Sequence, residues 1–162
     1  MHWVEKYCIG GYIQVNSFGS WWDTTVTIYN KFEDPQTQVV RWYRYVVHDA
    51  FWKAAGNKIT IGNVTLDTKD IICRIREDEA FLEKHIWITI PNDEMSNYFT
   101  LAEGDIIVKG EVNDEINEYV SGQRSTDLIA KYKKLQGCFE IKQWSNNTGG
   151  GRGNQHYFTS GI

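Results

Sequence analysis

The sequence predicts a mainly β fold, a small β-barrel or sandwich with one short packed α-helix and an N-terminal extension. Three observations lead there. Apolar and polar residues alternate at period two in several segments of strand length. Aromatic residues, which favour strands and contact surfaces, make up 14% of the chain, with seven Trp and nine Tyr. Convincing helical periodicity is confined to one segment, STDLIAKYKKLQG. The chain has 162 residues, 41% of them hydrophobic and 23% charged, which is the size and composition of one globular domain. The expected organisation is an extension over 1–22 and a single barrel-like domain over 23–162.

Residues 1–22 form an aromatic stretch interrupted by Gly10, Gly11 and Gly19, a segment that needs something to pack against. Alternation begins at Thr24: TTVTIYN sets Val26 and Ile28 on one face, and TQVVRWYRYVV continues the period after the Asp34-Pro35 turn, so a hairpin is expected. In the second strand Trp42 is expected in the core, with Tyr43 and Tyr45 on the opposite, exposed face. The stretch HDAFWKAAGNKITIGNVTLDT reads as a long loop holding one short strand, KITI. DIICRIR and KHIWITI read as strands with Ile71, Cys73 and Ile75, and then Ile86, Ile88 and Ile90, turned inward; Pro91 ends the second. EGDIIVKGEV is a further strand, with Ile106 and Val108 opposite Ile107 and Lys109 and a bulge or close approach at Gly110.

The helix is bounded by Ser125 or Thr126 as cap, by lysines in its last turn and by Gly137 beyond it, with Leu128, Ile129, Tyr132 and Leu135 on one face. CFEIKQW then returns as a strand with Phe139 and Ile141 inward, SNNTGGGRGNQ is a glycine-rich loop, and HYFTSGI is a terminal strand.

The formal charge of −4 disfavours a dominant basic face for holding nucleic acid. Cys8, Cys73 and Cys138 are an odd, widely spaced set, which fits neither a disulfide framework nor a zinc site and points to synthesis in a reducing cytoplasm. The N-terminus is broken by charge and glycine, so neither a signal peptide nor a membrane span is expected. The glycine-rich loop lacks the Gly-Lys-Ser/Thr and the following helix of a phosphate-binding loop, and reads as a hairpin loop. His2, His48, His85 and His156 stand singly, without metal-ligand spacing. His48-Asp49 could be paired with a distant cysteine only without the support of any motif. The acidic groups in REDEAFLEK, PNDEM and NDEINEY read as solvated turn residues rather than a glycosidase pair. No catalytic, cofactor or metal residue is therefore assigned, and the expected class is a structural or binding protein.

Contact residues are expected instead. Trp3, Tyr12, Trp21 and Trp22 would anchor the extension on a neighbour, and Tyr43 and Tyr45 would add an aromatic strip, since Trp, Tyr and Arg contribute most to interfaces. The order of TIYNKFEDPQTQVVRWYRYVVHDAFW, FTLAEGDIIVKGEV, the DLIAKYKK helix and a closing β segment resembles small uncharacterised proteins encoded in the head–tail region of tailed bacteriophages and prophages of Gram-positive bacteria. The resemblance covers residues 24–162, and its best signature is the GD-I/V-I/V-V-x-G strand, Gly104 to Gly110, with the IYN strand and V-V-H-x-x-x-W, Val46 to Trp52.

That resemblance implies a neck component similar to head-closure (stopper) proteins: a homo-oligomeric ring in the virion between portal or adaptor and tail, without cofactor or membrane. A tail terminator or other connector is the near alternative, and a carbohydrate-binding β-sandwich the distant one. The loop from Lys53 to Lys69, or that from Ser145 to Gln155 with Asn147, Arg152 and Asn154, would line the DNA channel with only non-specific contact. The extension and the long glycine-rich loop are departures from the family pattern.

Overall fold

The computed structural model describes residues 6–9, 12–15, 22–149 and 155–162, and the side chains of 22–54, 60–65, 70–149 and 155–162. Its strands are β1 (Lys6–Ile9), β2 (Tyr12–Val15), β3 (Thr24–Glu33), β4 (Val40–Ile61), β5 (Val64–Arg76), β6 (Ile106–Lys109), β7 (Cys138–Asn147) and β8 (His156–Gly161). Among the described residues two α-helices accompany them, α1 (Lys84–Trp87) and α2 (Ser125–Leu135), with a single 3-10 turn at Met95–Asn97. Among the described residues β1 and β2 pair only with each other, and the other six strands close into an antiparallel barrel in the order β3-β4-β5-β8-β7-β6. The mainly β class, the barrel and the packed helix are as expected.

The barrel consists of two three-stranded meanders joined edge to edge, β3-β4-β5 and β6-β7-β8. Its interior is filled by alternate residues of every strand: Val26, Ile28, Val47, Ala50, Cys73, Ile75, Ile107, Phe139, Ile141 and Tyr157 are all buried in one cluster. The inward sets expected at 71/73/75 and 139/141 are therefore correct. At Gly161 a Cβ would stand 2.0 Å from the Glu140 carbonyl oxygen and 2.6 Å from the Phe139 ring, so β8 closes on β7 only because that side chain is absent.

Segment 77–105 passes from β5 to β6 across one end of the barrel and closes it. Phe99 and Leu101 are fully buried there, and Phe81 stacks on Tyr157 with ring centroids 4.0 Å apart. KHIWITI belongs to this crossing and is not a strand: Trp87 is buried while Ile86 and Ile88 are about half exposed. Having no neighbour to pair with, the backbone satisfies itself locally, with Trp87 and Ile88 N–H donating to the Glu83 and Lys84 carbonyls at 2.9 and 3.1 Å.

The β6–β7 connection lies on the outer wall instead. Its helix α2 covers Tyr29, Ile106 and Val108, the outward residues of β3 and β6, and forms a second core with Val112, Leu128, Tyr132 and Cys138. This helix starts at Ser125 and its cap is Arg124, one residue before the expected Ser125: the Asp127 carboxylate accepts the Arg124 N–H at 3.1 Å, and Leu135 is exposed rather than on the packed face. Beyond it, Gly137 takes φ +107° and lies against the Trp52 indole.

Gly161→Ala is expected to lower stability by about 2–3 kcal/mol through overpacking of the β7–β8 seam. Gly149→Ala, where a Cβ meets nothing within 4 Å, should stay within about 0.5 kcal/mol of the wild type. Urea midpoints of the two variants at equal m-value test the contrast.

Candidate functional site

Beyond Ala50, β4 no longer pairs with β3, and before Ile71, β5 does not pair with β8. The two strands nevertheless run on together through seven register pairs, Ala55↔Asp70 to Ile61↔Val64. The stretch expected to be a long loop is thus a two-stranded arm, about 23 Å long at ~3.3 Å per residue. Gly62, at φ +61°, and Asn63 form the two-residue turn at its tip. Ile61 and Val64 beside this turn are 68% and 60% exposed. At its root Trp52 packs on Phe139, ring centroids 5.4 Å apart, which ties the arm to the barrel core.

The arm leaves one end of the barrel and the 148–155 connection leaves the other, since Asn147 and His156 pair where β5 ends at Arg76. The described flanks of the two segments expected to line a channel therefore lie at opposite ends. Asn147 is exposed, with its amide 3.4 Å from the His156 ring. Arg152 and Asn154 fall outside the described residues.

The aromatic contact residues are placed as follows. Trp3 and Trp21 lie outside the described residues, as does the side chain of Tyr12. Trp22 is half-buried, its ring centroid 6.1 Å from that of His156. Tyr43 and Tyr45 do not form an exposed strip. They share the inward face of β4 with Val47, where Tyr45 lies 5.0 Å from Phe99 and Tyr43 5.6 Å from Trp87, centroid to centroid. Trp42 and Arg44 take the outer face, where Trp42 Nε1 donates to Glu118 at 2.9 Å and Arg44 Nε to the Val112 carbonyl at 2.5 Å. Period two was read correctly there but assigned to the wrong faces, because the outer wall is covered by the 110–124 segment and both faces carry aromatics.

The most concentrated buried polar chemistry is structural. Asp105, only 1% exposed, accepts the Lys31 N–H at 2.8 Å, the Asn30 amide at 2.9 Å and the Ala102 N–H at 3.0 Å. Asn30 also donates to the Thr100 carbonyl at 2.7 Å and accepts the Thr100 N–H at 3.2 Å. Lys84 approaches Asp105 at 3.7 Å and donates to the Lys31 carbonyl. Burial pushes the Asp105 carboxyl up, opposed by Lys84 and these donors, and pushes the Lys84 ammonium down, opposed by Asp105. Burial likewise raises both described thiols, Cys73 and Cys138, to about 12, far from the thiolate range of a reactive cysteine.

An open cleft of about 390 Å³ lies between α2 and the preceding loop, lined chiefly by polar groups, among them Asn113, Glu115, Gln123 and Arg124. On its wall the Asp114 carboxylate accepts Lys131 Nζ at 2.9 Å and the Tyr132 hydroxyl, and these two bonds hold its carboxyl below the ordinary value. Among the described residues no group of three or more His, Cys, Asp or Glu is placed to hold a metal, and no helix is long and apolar enough to cross a membrane.

Residues 21–161 match the family described as a "Family of unknown function (DUF6751)". The chain belongs to this family. The DUF6751 match takes in the whole barrel, α2 and the arm, and begins at residue 21. No curated protein and no solved structure matches the chain.

Asp105→Ala leaves three donors without an acceptor and is expected to destabilise the fold by about 3–5 kcal/mol, measured by chemical denaturation. Asp114 carries an acid-sensitive contribution through its bonds to Tyr132 and Lys131. Its lowered value means that its share of stability is present above the ordinary carboxylate range and lost as pH falls through the lowered value. Melting temperatures from pH 6 down to about 2 should fall more steeply in the wild type than in Asp114→Asn.

Proposed function

We propose that this DUF6751 chain is a virion structural protein of the phage neck, a ring-forming head-closure or head–tail connector subunit that joins portal or adaptor to tail and gates the DNA channel. The observation that carries the reading is the arm: a closed, filled barrel holds out a narrow β ribbon with an apolar tip, a rigid body with a projection that reaches beyond it. A ring subunit needs both parts, the body to pack beside its neighbours and the projection to reach an adjoining subunit or the central passage. The net charge of −4 suits a passage through which DNA slides, since few phosphates would be neutralised along its wall.

In this reading the arm from Lys53 to Lys69 takes the part of the channel-side segment, and the 148–155 connection serves the opposite junction. The extension, with Trp3, Tyr12, Trp21 and Trp22, packs on an adjacent subunit or ring, as extended segments do when they add to a free sheet edge.

Light scattering on the purified protein, alone and mixed with a portal ring, tests the assignment. The expected result is a discrete ring mass or a stable complex with the portal, weakened by deletion of residues 1–22. A chain that remains monomeric in both samples would refute the neck role.

A further inference from the structure

We infer that the arm is the device by which copies of this chain join, the outer edge of β5 in one copy pairing with the outer edge of β4 in the next. The inference deepens the ring reading above and rests on it.

Within the barrel β4 lacks a second neighbour over Val40–Asp49 and β7 over Lys142–Asn147, but the arm stands beyond the barrel with both of its outer edges unpaired among the described strands. A two-stranded ribbon is marginally stable in water by itself, and an exposed apolar edge is a site that another chain will pair with. The arm combines the two conditions: seven pairs without a third strand, and a tip with Ile61 and Val64 mostly exposed.

Charge selects which edges meet. Within Lys53–Ile61 the charged residues are Lys53 and Lys58, whereas within Val64–Asp70 they are Asp67, Lys69 and Asp70. The β4 half is therefore cationic and the β5 half mildly anionic. Pairing β5 with the next copy's β4 brings unlike edges together, while β4 against β4 would bring lysines together. The sheet order β4-β5-β4-β5 repeats in one direction, and such a head-to-tail contact closes into a ring when its rotation closes.

The register shows how to block each edge separately. With a two-residue turn, Ile61 and Val64 are a hydrogen-bonded pair, so Thr60 and Thr65 form the following non-bonded pair, whose N–H groups point outward. Their hydroxyls, 3.4 Å apart, fit such a close non-bonded pair. Thr60→Pro removes an outward donor from β4 alone, and Thr65→Pro removes one from β5 alone, each sparing the ladder inside the arm.

The experiment is light scattering on the full-length chain and on both proline variants, separately and mixed in equal amounts, with circular dichroism melting as the check on the barrel. Each variant is expected to lose the ring and run as a monomer with an unchanged melting temperature. The mixture is expected to give a one-to-one dimer and nothing larger, because one intact β5 edge and one intact β4 edge remain. Rings that persist in both variants, or a dimer formed by either variant alone, would overturn the pairing while leaving the ring reading in place. So would rings lost on deletion of residues 1–22 but kept in both proline variants. A wild-type chain that stays monomeric with and without the portal would remove the ring reading itself.

Discussion

The Asp105 carboxylate sits where three separate parts of the chain must meet, and the rest of the structure depends on that junction. Its acceptors hold the β3 backbone at Lys31, the Asn30 side chain and the turn at Ala102, while Asn30 holds Thr100 in the crossing segment. One buried carboxyl group thus fastens the strand that begins the barrel to the segment that closes its end and to the strand that completes the circle. The glycines flanking β6 complete the arrangement. Gly104 at φ +92° turns the chain so that Asp105 points inward, and Gly110, also at +92°, ends the strand with its N–H on the Thr25 carbonyl. The signature Gly104–Gly110 is therefore a closure motif: two left-handed turns, an internal acceptor and three apolar residues divided between the inner and outer cores.

That division also explains why β3 is buried along both faces. Val26 and Ile28 enter the barrel, while Thr27 and Tyr29 lie under the 110–124 segment and α2, with Thr27 Oγ1 donating to the Gly110 carbonyl at 2.8 Å and Tyr29 Oη to the Asp114 carbonyl at 2.6 Å. The helix is an outer layer laid over two strands rather than a plug. Both ends of the barrel are blocked by aromatic side chains, Trp52 at one and Phe81 with Phe99 at the other. A small barrel of this kind has a packed interior and no lumen.

Much of this was legible in the sequence wherever one face of a strand is apolar and the other polar. The 24–33 hairpin strand, Ile71, Cys73 and Ile75, Phe139 and Ile141, and the helix from Ser125 all declare themselves by period. Reading failed where period loses its meaning. In WYRY both faces are covered, so alternation alone cannot say which aromatic faces the barrel. In KHIWITI a β-like pattern crosses the barrel mouth with no neighbouring strand, and the turn that satisfies its backbone brings Trp87 inward instead. The arm was missed because Gly56, Asn57, Gly62 and Asn63 look like loop punctuation. Only the pairing of Lys53–Ile61 with Val64–Ile72 shows that one Gly-Asn is the turn of a hairpin and the other lies within its strand. Continuity there depends on a partner strand, which local composition does not encode.

Because the ribbon and the 148–155 connection leave opposite ends, the molecule is vectorial. Copies set side by side in the same orientation would present one kind of rim above and a different kind below. Such an array could bridge two unlike surfaces, but it could not extend by stacking on an inverted duplicate without exchanging one set of contacts for another. Direction is thus written into the single subunit, before any assembly takes place.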